Sequence, residues 1–352
     1  MASTSAIHLN LGLRRISART LRLIAEWTGL TVISTKTRNK ILDSAPWLAA
    51  YFLQAERIKP PSENKSGPGD SYLRYDNPYL VDLRRRYANH PANHHSLWNT
   101  AAVEAQIDLT SFRADNLYLF QSRRYPPWAY YATAAYVRQI DNLGLWDVLC
   151  EDDVFGAEIF DFHGKVVSRD LLDSIMEINF LDRHLELSKW RNVRVLDIGA
   201  GYGRLAHRMA TALPNVHKYY CVDAVAESTF ISNYYLKYRN VTSRCDVVPL
   251  DELSRVERPD LAINIHSFPE CRNRVVEWWL QRVRDLSIPW LFVACNPCLG
   301  LTTHDKTGRK DFRQLIERCG FELVACESKF DRAPVLNEYG LYPADHYLFR
   351  SI

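Results

Sequence analysis

Val193-Arg194-Val195-Leu196-Asp197-Ile198-Gly199-Ala200-Gly201-Tyr202-Gly203-Arg204-Leu205-Ala206 is an aliphatic run, three glycines at alternate positions, and the start of a helical pattern. Val193, Val195, Leu196 and Ile198 read as a buried strand, and helical spacing begins at Arg204. A strand, a tight turn and a helix N-terminus in that order can seat an anionic or nucleoside ligand. Gly199, Gly201 and Gly203 permit positive φ and a close approach of backbone to ligand. The spacing is Gly-x-Gly-x-Gly, whereas the turn that places a dinucleotide pyrophosphate on a helix reads Gly-x-Gly-x-x-Gly. Asp197, just ahead of the glycines, is a poor neighbour for a pyrophosphate and suits a ligand carrying positive charge. A dinucleotide oxidoreductase is the alternative, and binding of NAD would reveal it.

Downstream, strand and helix patterns alternate to the end, which predicts a parallel α/β sheet. A strand at His217 to Val222 closes on Asp223. An acid about 20 residues past a glycine loop is placed to accept hydrogen bonds from a ribose diol. Next come a helix at Glu227 to Tyr238 and a strand at Cys245 to Val248, after which Asp251 is expected to cap a helix. The strand Leu261 to Ile265 ends at His266-Ser267-Phe268-Pro269-Glu270. A helix with Val275, Trp279, Val283 and Leu286 on one face leads to the strand Trp290 to Cys295. The spacing then predicts a helix at Lys310 to Cys319 and a closing pair, Glu322 to Lys329 and His346 to Arg350.

Upstream, residues 1–70 read as a helical arm, with a basic helix, a second helix around Arg38 to Ile58, and a Pro/Gly/Ser linker from Pro60 to Gly69. Residues 71–189 form a mostly helical unit and residues 190–352 the α/β unit. Helical spacing is clear at Tyr79 to Tyr87 and Tyr131 to Leu149, and a hairpin is expected at Ala157 to Val167, turning at His163-Gly164. Ser168 is a good N-cap for the helix that follows. Leu171, Ile175, Ile178 and Leu185 share one of its faces. Asp170, Asp173 and Glu177 share another, which reads as a solvated surface or the wall of a polar cleft.

The chain has 352 residues, 47% hydrophobic and 12% aromatic, enough for a sizeable core in more than one unit. Lys+Arg 44 against Asp+Glu 41 is too balanced for a nucleic-acid binder. No apolar run reaches the length of a membrane span. Arg14, Arg15, Arg19 and Arg22 precede the first acid, Glu26, which suits a presequence, a membrane-surface helix or a helix packed on its own protein; the last is preferred. All cysteines but Cys150 lie from Cys221 onward, mostly beside apolar residues, as buried thiols do in a reducing, cytoplasmic compartment. Cys295 and Cys298 form a single C-x-x-C without a second pair, so metal or redox use is not favoured.

The loop from Asp197 to Gly203 resembles motif I of the class I S-adenosylmethionine-dependent methyltransferases. Several stretches also resemble a bacterial family of sugar O-methyltransferases: Asn77-Pro78-Tyr79, Ser96-Leu97-Trp98, Phe112 to Asn116, Glu151 to Gly156, Ser168 to Leu181, Leu196 to Ala206, Val222-Asp223, Tyr234-Tyr235-Leu236 and Asn264 to Phe268. The likeness runs from about residue 77 to the end, and Ala114 stands where that pattern has a glycine. It implies a Rossmann-like α/β sheet of seven strands, the last antiparallel, beside a mostly helical N-terminal domain. It also implies S-adenosylmethionine held by Asp197, Gly199, Ala200, Gly201, Gly203, Arg204, Asp223, Ala224 and Leu250. The expected activity is methylation of a hydroxyl on a sugar or glycosylated metabolite. A non-sugar small-molecule acceptor and an inactive scaffold of the same fold are the alternatives. Nucleic acid is not expected as a partner, and a homo-oligomer is left open.

A hydroxyl is a poor nucleophile while protonated, so a base or a metal-bound alkoxide is needed. His266 lies at the ligand-binding edge of the sheet, with Glu270 one turn on to orient it. His304-Asp305, read as an exposed loop, is the rival base. Asp170, Asp173 and Glu177 are expected to face the substrate. Mg²⁺ on them is less favoured, because one helix cannot supply an octahedral array. Trp98, Tyr118 and Trp128 are candidates for stacking on sugar rings.

Overall fold

The computed structural model describes residues 35–46, 69, 71–94, 98, 103–104, 107–114, 116, 125, 127–295, 300–305 and 308–352. The basic segment around Arg14 to Arg22, Tyr118, Cys298 and the side chains of His304 and Asp305 lie outside the described positions.

In chain order the N-terminal half contributes α1 (Thr35–Ser44), α2 (Pro78–Tyr87), α3 (Pro127–Ile140), the hairpin β1 (Phe160–Phe162) and β2 (Lys165–Val167), and α4 (Arg169–Leu185). Asn77 caps α2 through its side chain, with proline at the first turn, where a missing N–H costs nothing. Arg84 and Arg86 of α2 reach across to Glu227 and to Asp251 and Glu252. The helix predicted to run from Tyr131 to Leu149 stops at Ile140. The Asn142 N–H bonds the Asn179 side chain, the Trp146 N–H bonds Asp141, and Gly144 turns the chain at φ 69. Tertiary partners outcompete the next helical turn there.

The main sheet holds β3 (Val193–Ile198), β4 (Val216–Val222), β5 (Cys245–Val247), β6 (Leu261–Ile265), β7 (Trp290–Cys295), β10 (Phe321–Ser328) and β11 (Asp345–Ser351). Its order is β10-β11-β7-β6-β3-β4-β5, parallel except for β11, which inserts antiparallel between β10 and β7. This is the seven-stranded, Rossmann-like arrangement with one reversed strand. β3 and β6, near the middle, are buried along most of their length, which is why they read as aliphatic runs rather than alternating ones. α5 (Arg204–Ala212), α6 (Ala226–Tyr238) and α7 (Asn273–Asp285) are the crossovers.

Two expectations beside the sheet need correction. The spacing predicts a helix from Lys310, but Gly308–Asp311 is strand β9, paired antiparallel with β8 (Thr302–Asp305), and the helix spans only Arg313–Arg318. His304-Asp305 therefore sits on a strand backbone, not in a loop. Asp251 caps nothing: it lies inside a 3₁₀ turn, Leu250–Arg255, and its carboxylate binds Arg86.

α4 is buried at nearly every position. Ser168 accepts the Leu171 N–H at 3.1 Å, as an N-cap should, and donates to Glu151. The three-acid face is not solvated, and each acid meets its own cation or hydroxyl. Asp173 bonds Arg169 and Lys329; Glu177 bonds Arg204; Asp170 accepts from the Tyr202 hydroxyl and faces Arg113 at 3.7 Å.

Candidate functional site

The glycine loop is folded around the ends of β3 and β4. The Gly199 and Ala200 N–H groups both donate to the Val222 carbonyl, at 2.8 and 3.2 Å. Asp223 accepts the Gly201 N–H at 3.0 Å with one oxygen and the Val225 N–H at 2.8 Å with the other. One carboxylate thus shapes the loop and the approach to α6. Gly199, Gly201 and Gly203 all have positive φ, at 76, 56 and 86. A Cβ on Gly199 would collide with the Ser267 side chain, and one on Gly203 would lie 2.9 Å from Ser232 Oγ. Buried Asn264 fastens the third strand end: its Nδ2 donates to the Ile198 carbonyl, and its Oδ1 accepts the Phe268 N–H.

These three strand ends enclose a pocket. Of the positions expected from the sequence, Asp197, Gly199, Ala200, Gly201, Arg204, Asp223, Ala224, Asp173, His266 and Glu270 line it. Gly203, Leu250, Asp170 and Glu177 do not. Gly203 packs under α6, and Leu250 is core, its N–H bonded to the Tyr87 hydroxyl. Arg204 borders the pocket, but its guanidinium is occupied by Glu177 and Ser174. Trp98 does line it, whereas Trp128 packs against Tyr339 instead. Arg169, Ser228, Ser267, Cys271 and Trp279 are also part of the wall. Arg169 was legible only as the first residue after a capping serine, a position that says nothing of which way its side chain points.

The wall has an acidic side and a basic side. Burial pushes Asp197 up to about 7, against a hydrogen bond from the Tyr219 hydroxyl. Burial pushes Asp223 up to about 6, against the Val225 and Gly201 amides. Burial also carries Glu270 to about 7; the Trp98 indole opposes this and nearby Asp223 reinforces it. On the other side, Asp173 is held down at about 2: Lys329 and Arg169 outweigh its burial.

His266 and Glu270, expected to form a pair, are not joined by a hydrogen bond. The Glu270 carboxylate accepts from Trp98 Nε1 at 2.7 Å and lies toward Asp223. His266 lies toward Arg169 and Asp173, with its ring edge on Tyr342. Burial and then the Arg169 charge lower its pKa to about 3, so the imidazole is neutral at physiological pH. Its φ is 59, an uncommon conformation for a non-glycine residue, held by its N–H to the Ala294 carbonyl. Nδ1 is buried without a partner among the described residues.

The site fits S-adenosylmethionine better than a pyrophosphate. Asp197 and Asp223 flank the loop as acceptors whose burial is relieved by an arriving cation or a donating diol. Among the described residues no group of three or more His, Cys, Asp or Glu is placed to hold a metal ion, and no helix is long and apolar enough to cross a membrane.

Residues 159–268 match the family described as Methyltransferase small domain. No curated protein matches the chain. Among solved structures, the chain is similar to magnesium protoporphyrin IX methyltransferase from Synechocystis PCC 6803, crystallised with its methyl donor bound, at 12% identity and TM-score 0.39, over 52% of this chain and 83% of that one. It is also similar to an S-adenosylmethionine-dependent methyltransferase from Clostridium acetobutylicum, at 11% identity and TM-score 0.36, over 51% of this chain and 90% of that one. The family match covers the glycine loop, Asp197 and Asp223, and with the sheet order it makes the α/β unit an S-adenosylmethionine-dependent methyltransferase domain.

Proposed function

We propose that the protein is an O-methyltransferase acting on a hydroxyl of a sugar or glycosylated metabolite, with His266 as the proton acceptor. S-adenosylmethionine, when bound, supplies an electrophilic methyl group on a sulfonium. The chain's own part is to hold the donor with Asp197, the glycine loop and Asp223, and to receive a hydroxyl beside it.

The observation that carries the reading is His266 Nδ1, unpartnered in the wall of the donor pocket. A neutral imidazole with a free ring nitrogen can accept a hydroxyl proton, and among the described residues no donor occupies that nitrogen already. Trp98 supports the sugar assignment by bringing an aromatic surface to the same wall. Trp98 and Asp173 come from the part of the chain before residue 190, so we assign residues 71–189 mainly to the acceptor side and 190–352 mainly to the donor side. The cysteines described are all free, in keeping with a reducing compartment such as the cytoplasm.

The test is transfer of an isotope-labelled methyl group to a panel of sugars and glycosides, read by mass spectrometry. Methylation of a hydroxyl in the parent, with turnover reduced about 10²–10⁴-fold in His266→Ala at unchanged donor affinity, is the expected result. Methylation at nitrogen or carbon, or a His266→Ala enzyme with most of its turnover, overturns it. Absence of any calorimetric signal with millimolar S-adenosylmethionine would instead favour an inactive scaffold.

A further inference from the structure

We propose that Arg169 is the carboxylate anchor for the amino-acid tail of the methyl donor; the inference rests on the assignment of S-adenosylmethionine to this pocket. Arg169 lines the pocket and is 4% exposed. Its Nε bonds Asp173 at 3.2 Å and its guanidinium lies over the Tyr342 ring at 4.1 Å, which fixes the plane of the fork. Nη1 is buried and has no hydrogen-bond partner among the described residues.

The charge count beside it is unbalanced. Asp173 is shared between two cations, since Lys329 Nζ bonds it at 2.6 Å while Arg169 bonds its other oxygen. The remaining Lys329 bonds go to the neutral carbonyls of Leu341 and Tyr342. Two cations bonded to one carboxylate, with nearby Asp170 and Glu177 already bonded to Tyr202 and Arg204, and an idle guanidinium nitrogen on the pocket wall call for an anion. Arg204, the other cation of the wall, already has Glu177. The amino-acid tail of the donor carries an ammonium and a carboxylate together. Asp197 and Arg169 border one pocket and offer the two opposite charges that such a tail needs. An acidic acceptor could offer a carboxylate too, and the experiment separates these sources without requiring the acceptor.

Calorimetric titrations compare S-adenosylhomocysteine, its decarboxylated analogue, and 5′-methylthioadenosine, which lacks the whole amino-acid tail. The parent should bind the decarboxylated analogue about 10–100-fold more weakly than S-adenosylhomocysteine. Arg169→Met should lose a similar factor for S-adenosylhomocysteine and bind 5′-methylthioadenosine like the parent, while Arg169→Lys should lie between. Equal binding of S-adenosylhomocysteine by Arg169→Met and the parent overturns the proposal and leaves the anion to the acceptor. Equal loss for all three ligands also overturns it, as that is structural damage. The comparison of ligands on the parent stands even if a variant fails to fold. A parent that binds none of them sinks the cofactor assignment itself.

Discussion

At the scale of single residues, the site is governed by carboxylates held out of water beside a ligand that brings positive charge. Asp223→Ala removes the acceptor proposed for the ribose and also releases the Gly201 amide, so donor affinity should fall by about 1–3 kcal/mol, measurable by calorimetry. The pH dependence has a definite sign. Asp197 and Asp223 are raised to about 7 and about 6 in the free protein, so they favour the folded state fully only below the ordinary carboxylate range, and that contribution is lost as pH rises through 6 to 7. A cationic ligand prefers them ionised. Donor affinity should therefore climb as pH rises through the same window and level off above it, with proton release on binding. Affinity that is flat or falling across it would contradict the assignment of these carboxylates. His266, held near 3, should add no ascending limb to turnover around neutrality. An unperturbed histidine would have placed a limb there.

At the scale of elements, glycine and capping positions set how the loop meets its helices. Gly203 precedes α5 with φ 86, and a Cβ there meets Ser232 and Leu236 of α6. Gly203→Ala should cost about 1–2 kcal/mol in chemical denaturation, from strain at positive φ and displacement of α6, with weaker donor binding. Ser168→Ala removes the cap of α4 and one donor to buried Glu151, for a loss of about 1–3 kcal/mol. If Ser168→Ala matches the parent in stability, the cap is not holding α4. The glycine turn, the cap and the strand periods were all readable in the chain because they depend on neighbours within a few residues. The end of α3 at Ile140 was not, because Asn179, distant in sequence, takes the Asn142 N–H there.

At the scale of the whole molecule, an ion network ties the N-terminal half to the sheet. Arg113, completely buried, bonds Glu151 and Asp152; Glu151 also bonds Arg208 of α5, and Asp152 bonds Arg239 beyond α6. Arg113→Met leaves buried Glu151 with Arg208 alone and takes from buried Asp170 the cation that faces it, so it should destabilise the protein by about 3–5 kcal/mol in urea unfolding. A smaller change, below about 1 kcal/mol, would mean that water reaches these charges.

The parallel sheet, the glycine loop and the positions of Asp197 and Asp223 are legible along the chain, since strand period, turn chemistry and a fixed offset along one crossover are local properties. His266 falls at the same edge for the same reason. What faces what is a matter of packing. Asp170, Asp173 and Glu177 share a helix face at any rate, but whether that face meets water, substrate or arginine depends on segments tens to hundreds of residues away, among them Arg204 and Lys329. The same holds for Glu270, which turns to Trp98 rather than His266, and for Arg169, which shares Asp173 with Lys329. Charge pairing in a core is a property of packing, and no periodicity along the chain encodes it.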